Sequence, residues 1–214
     1  MGFVMTLVMT SCSNSSQEQS NQQEFEAFPY QIEAGLLAEN PLVIPEIQAE
    51  YQIPVNYATI DQEYIDNIAN EEQKNNPFNR KLLRIYLNQY INSTIATYDM
   101  RHIPQEKINN EITNYQTTYN ADGSWENISL KKYTSNHYPK IYWFEMKNQN
   151  ITNIRIIFAN NEKAQFCIDY NFASAYYEDL IPLIRSAAAS VKPNLEPQIT
   201  ILWKKPIGTY ITGS

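Results

Sequence analysis

The sequence predicts an α+β domain, an antiparallel, curved sheet with helices packed on it, and three observations predict it. Four apolar segments between Glu126 and Tyr170 follow one another through short polar connections, as the strands of a meander do. Helical periodicity occurs in three separate stretches and does not alternate strictly with strands, which sets the helices apart from an antiparallel sheet. The chain of 214 residues carries 16 Tyr, 8 Phe and 3 Trp, enough aromatic surface to fill the core of one domain with extensions at its ends.

The elements follow in order. Residues 25–49 mix apolar positions with Pro29, Pro41 and Pro45, which predicts irregular packing against the domain. Tyr51, Ile53 and Val55 alternate and predict a first strand. Asp61 is a helix N-cap, and the helix runs to about Lys74 with Tyr64, Ile65 and Ile68 on one face. Leu82 to Leu87 and Ser93 to Arg101 read as strands joined through Asn88 to Asn92. Pro104 fits the first turn of a helix reaching Tyr119, because Ile108, Ile112, Tyr115 and Tyr119 make one stripe. Ala121 to Ser124 is a turn. Strands follow at about Glu126–Tyr133, Lys140–Lys147, Thr152–Ala159 and Lys163–Tyr170, linked by Asn148-Gln149-Asn150 and Asn160-Asn161-Glu162. A closing helix runs from about Ser174 to Val191; Pro182 inside it predicts a kink or break, and Pro193 stops it.

Two segments, Tyr51 to Tyr57 before a polar helix and Phe166 to Tyr170 before a final helix ending Ser190-Val191-Lys192, give residues 50–192 an arrangement similar to the PsbP-like fold. The cystatin and nuclear-transport-factor-two folds are the alternatives. The PsbP-like resemblance implies no enzyme and fixes no ligand.

The N-terminus carries an address. Residues 1–11 are uncharged and mostly apolar, Met9-Thr10-Ser11-Cys12 ends the run, and Ser, Asn, Gln and Glu dominate from Ser13 to Gln23. This resembles a bacterial lipoprotein signal ending in a lipobox. Met9 stands where Leu is usual, and no Lys or Arg precedes the apolar run. Eleven residues are too few to span a bilayer, which needs about 20. The resemblance implies cleavage before Cys12, a diacylglyceryl thioether on Cys12, and a third acyl chain on its amino group. Ser13 implies, by the same resemblance, release to the outer membrane of a two-membrane bacterium. The chain thus divides into a signal peptide (1–11), a lipid-anchored polar spacer (12–24), the irregular segment (25–49), the α+β domain (50–194) and a tail (195–214), where Ile199 to Trp203 could add an edge strand.

Charge narrows the partners. With 23 Asp and Glu against 16 Lys and Arg the net charge is −7, and the basic pairs Lys131-Lys132 and Lys204-Lys205 are short. Nucleic acid is not an expected partner. The expected partners are membrane lipid, through acylated Cys12, and an envelope protein.

No motif assigns a catalytic residue, and neither a metal nor a cofactor is expected. His102 and His137 are the chain's two histidines, lie far apart in sequence, and read as surface or turn residues. A site built on their convergence would need carboxylates, with Asp99 the best placed. Glu71-Glu72 and Glu178-Asp179 read as solvated helix positions. Cys167, in an apolar strand with nothing basic beside it, reads as a small buried thiol. In the run from Tyr138 to Phe144, alternation sends Tyr142 and Phe144 to one face, Ile141 and Trp143 to the other. That is either a central strand covered on both sides or a sticky outer face, with Tyr133, Tyr138 and Trp143 as its binding candidates. The functional expectation is a lipid-anchored binding or assembly module. The alternative, from a different class, is a small envelope hydrolase or carbohydrate-active enzyme using carboxylates.

Overall fold

The computed structural model describes residues 24–75, 80–121, 123–160 and 163–194. Cys12, the leader, the spacer up to residue 23 and the tail with Ile199 to Trp203 lie outside these residues.

Along the chain come β1 (Glu26–Ala27), β2 (Leu42–Ile44), β3 (Ala49–Tyr51), β4 (Ala58–Thr59), α1 (Gln62–Asn75), β5 (Lys81–Asn88) and β6 (Ser93–Asp99). Then follow α2 (Gln105–Thr113), α3 (Tyr115–Tyr119), β7 (Asn127–Thr134), β8 (Lys140–Lys147), β9 (Ile151–Ala159), β10 (Ala164–Ala173), α4 (Tyr177–Ala189) and β11 (Lys192–Pro193). Eight strands form one open sheet in the order β1-β7-β8-β9-β10-β6-β5-β4. All its pairs are antiparallel except β1 with β7. The meander β7 to β10 is therefore the one the polar connections predict. A three-stranded sheet, β11-β3-β2, lies beside it.

The large sheet is α+β in the literal sense, with a core on each face. On the first face Trp143, Ile156, Phe158, Phe166, Ile168 and Tyr170 meet α4 and the segment carrying Ile44, Ile47 and Tyr51. On the second, Tyr142, Phe144, Met146, Ile157 and Cys167 meet Ile65 of α1 and Ile108 and Ile112 of α2. Because side chains alternate along a strand, two covered faces demand that most positions of β8 to β10 be buried whichever way they point, and they are. Phe158 and Phe166 stack at 4.9 Å between centroids, and Tyr138 sets its ring edge-on to both.

Five local expectations are corrected. The alternation of Tyr51, Ile53 and Val55 does not make one long strand: β3 ends at Tyr51, Pro54 lacks an amide hydrogen, Asn56 is left-handed with φ 70°, and Val55 is exposed. Residues 25–49 are less irregular than expected, since they supply β1, β2 and the first residue of β3, Ala49. In α1, Ile65 is buried and Ile68 packs inward, whereas Tyr64 points to solvent. The helix after Pro104 divides at Asn114 into α2 and α3, and its stripe of Ile108, Ile112, Tyr115 and Tyr119 still faces the sheet. The closing helix begins with a 3-10 turn, Ser174–Tyr176, and α4 runs unbroken through Pro182. Pro182 sits early in α4, where its ring forfeits only the bond to the Glu178 carbonyl.

Candidate functional site

The densest chemistry lies between the second face of the sheet and α2–α3. Arg155 of β9 and Asp169 of β10 are direct cross-strand partners, and the Arg155 Nε donates to Asp169 Oδ1 at 2.8 Å while an Nη donates to Oδ2. Arg80, just before β5, forms a buried ion pair with Glu111 of α2. The Tyr119 hydroxyl of α3 donates to the same Glu111 oxygen, and the Arg155 guanidinium lies 5.2 Å from the Tyr119 ring centroid. Burial raises the Tyr119 hydroxyl well above its ordinary pKa. Cys167 shares this face of β10; burial, then the Asp169 charge, push its thiol far up, so it is no nucleophile.

Two cations and two carboxylates thus compensate one another away from water. Arg80, Glu111, Asp169 and Cys167 are all buried, so no substrate can reach the carboxylates, and the cluster fastens α2–α3 to the sheet. Sequence reading missed it. The available signal was opposite charges in two adjacent apolar strands, Arg155 and Asp169, and Glu111 within the apolar stripe beside Ile108 and Ile112.

The histidines do not converge. His102 follows β6 and His137 lies in the β7–β8 turn; both are exposed at the same end of the sheet. Three strand spacings, about 14 Å, separate β8 from β6. Asp99 is engaged by Arg101, whose Nε, Nη2 and backbone amide all donate to its carboxylate at 2.8–3.0 Å. Burial raises its pKa, but the Arg101 bonds and charge, with the His102 charge, outweigh this and hold Asp99 below the usual range. Among the described residues no group of three His, Cys, Asp or Glu could hold a metal ion.

The aromatic candidates stand in the core. Tyr133, Tyr138 and Trp143 are 4%, 7% and 3% exposed. Phe28 and Tyr30 cover Tyr133 and Trp143 with rings 5.4 to 6.5 Å away, so the N-terminal segment supplies the outer layer. Of the two readings of β8, the central strand covered on both sides is what the fold contains. Burial pushes the Tyr138 hydroxyl up to about 12.

An open concavity exists elsewhere. At the carboxyl end of α4, a cleft of about 320 Å³ is lined by Ile32, Pro41, Gln52, His137, Ala189 and Val191, with Ser190 and Lys192 at its edge. Its walls are held firmly. The Ser190 hydroxyl donates to the Ala187 carbonyl and accepts the Gln52 amide, both within 2.8 Å, and the Gln52 side chain donates to the Ala38 carbonyl. Lys192 pairs with Glu50 at 2.8 Å. The cleft is lined by apolar side chains and the His137 imidazole, fixed by side chains that are already satisfied, and it lies on the face of the sheet that α4 covers.

No protein-family model matches the sequence, and no curated protein matches it. Among solved structures, the chain is similar to the solution structure of cyanobacterial PsbP (CyanoP) from Synechocystis sp. PCC 6803. Identity is 11%, the TM-score is 0.45, and the match covers 72% of this chain and 91% of that one. At that level the likeness carries nothing about function.

Proposed function

We propose that the protein is a lipid-anchored module of the bacterial cell envelope, held to the outer membrane through acylated Cys12, that binds or assembles a protein partner. The observation that carries the anchor is the sequence of the N-terminus: an uncharged apolar run, Met9-Thr10-Ser11-Cys12, then an abrupt polar stretch. More than one acyl chain is what stable anchoring requires.

For the binding surface, the cleft at the carboxyl end of α4 is the better candidate, because it is open and its lining side chains are pre-positioned. A partner would insert an apolar side chain between Ile32, Pro41 and Val191 and meet the His137 imidazole. The core aromatics of β8 play no direct part.

The test is purification of the tagged, lipidated protein from its native membranes, followed by identification of what accompanies it. Ile32→Asp together with His137→Asp alters two exposed positions, so stability should change by about 0.5 kcal/mol at most for each. The companion should be lost from the variant and retained by the unsubstituted chain. A companion retained equally by both would assign the binding to another surface.

A further inference from the structure

The last described residues, 191–194, leave from the wall of the cleft. Val191 and Lys192 line it, β11 follows at once, and the Asn194 amide donates to the Gln48 carbonyl at 2.8 Å. β11 runs away from the cleft, from Glu50 toward Ala49 and Gln48, so a reversal beyond Asn194 is what brings the chain back. β11 is an outer strand of its sheet, with β3 on one side and no strand on the other among the described residues. Pro193 has no amide to give a further strand, so a segment laid beside β11 is held by its side chains and not by a ladder.

The sequence beyond supplies both a turn and an apolar face. Residues 194–198, Asn-Leu-Glu-Pro-Gln, carry the turn formers Asn194 and Pro197 and make a five-residue connection, a usual length for a reversal. Ile199, Ile201 and Trp203 then alternate with Thr200 and Leu202, so an extended run presents three large apolar side chains on one side. Counted back from that turn, Ile199 stands level with Pro193 and Ile201 with Val191, and Trp203 reaches the cleft. The cleft suits it. Ile32, Pro41 and Val191 give apolar walls, about 320 Å³ is small for a ligand site, and Ile32 is 56% exposed to be covered. Charge agrees as well. Exposed Glu33 adjoins Ile32, exposed Glu39 accepts the Gln52 side chain at its carbonyl, and neither carboxylate is in an ion pair among the described residues. Lys204 and Lys205 follow Trp203 directly.

We propose that residues 199–203 fold back beside β11 and seat Trp203 in the cleft, against Ile32, Pro41 and Val191, with Lys204 and Lys205 turned to Glu33 and Glu39. A connection this short holds the indole at about millimolar effective concentration, so one well-packed ring keeps the cleft occupied. The tail is then an internal occupant that a partner must displace. That competition, unlike the docking itself, rests on the reading of the cleft as the partner's surface.

The test uses the mature chain, residues 12–214, without lipid, and reads the ring-proton NMR signals of its two histidines, assigned with His102→Gln and His137→Gln. Trp203→Ala alters no described residue. It should shift the His137 signal, which the indole ring current reaches, and leave the His102 signal in place. Labelling with 5-fluorotryptophan gives Trp203 its own fluorine signal, assigned by its loss in Trp203→Ala. That signal should stand apart from its position in urea and move to the urea position in Ile32→Asp, while an unmoved Trp143 signal shows the core intact. An unmoved His137 signal in Trp203→Ala, or a Trp203 signal that starts at the urea position or ignores Ile32→Asp, overturns the proposal. A His137 effect that fades on dilution makes the occupant the tail of a second copy and overturns it too. Recovery of the membrane companion separates the two readings: Trp203→Ala should raise it severalfold. Unchanged recovery with the tail seated would end the reading of the cleft as the partner's surface and leave the docking standing.

Discussion

Trp143 shows how far a single residue can be read. Alternation within β8 fixes which side chains share a face, and that pattern is legible in the sequence. Whether both faces are covered depends on Phe28, Tyr30 and α4, which come from distant parts of the chain. With Trp143 only 3% exposed, Trp143→Ala should cost about 3–5 kcal/mol in denaturant melts. An effect under about 0.5 kcal/mol would mean that the indole is not packed. Cys167 gives a chemical counterpart: its raised pKa and full burial predict no reaction with a thiol reagent at pH 8 until the domain unfolds. Asp99 gives one in pH. Its folded pKa lies below the unfolded one, so its contribution is complete above about pH 4 and fades as pH falls through the folded value. Asp99→Asn should therefore destabilise the protein at pH 7, and its difference from the unsubstituted chain should shrink on acidification toward pH 2. A difference that grew in acid would contradict the Arg101 contact.

At the scale of elements, long periodic segments were legible and short ones were not. β8 matches its expected bounds, and β5 to β7, β9 and β10 lie within a few residues of theirs, because each has an apolar pattern lasting seven residues or more. β1, β2, β3 and β11 have two or three residues each, too few for a period to show, and their pairing comes from tertiary contacts. The docking of α2–α3 was half legible: the stripe of Ile108, Ile112, Tyr115 and Tyr119 predicts it, but the charged fastening by Arg80, Glu111, Arg155 and Asp169 has no local pattern. That fastening has a distinct mutational signature. Glu111→Ala takes the carboxylate away from buried Arg80 and from the Tyr119 hydroxyl and should cost about 3–5 kcal/mol, whereas Arg80→Met with Glu111→Leu should cost much less. Urea melts of the three proteins decide it, and an equal or greater loss in the double variant would show that the ion pair itself supplies stability.

For the whole molecule, the two ends of the sheet differ. One end carries exposed Tyr90 and Ile151 at its turns; the other carries the cleft of about 320 Å³ at the end of α4. The proposed anchor rests on the sequence alone, as a short local string ending in Cys12. The cleft was illegible, because Ile32, Gln52, His137 and Val191 meet only after folding. The central claim is that the domain is tied to a membrane by Cys12, and mass spectrometry of the mature N-terminus from native membranes tests it most directly. The account predicts a chain that begins at Cys12 and carries acyl chains there, and Cys12→Ser moving the domain into the aqueous fraction. An intact Met1 on most molecules, or an unmodified Cys12 thiol, would contradict it.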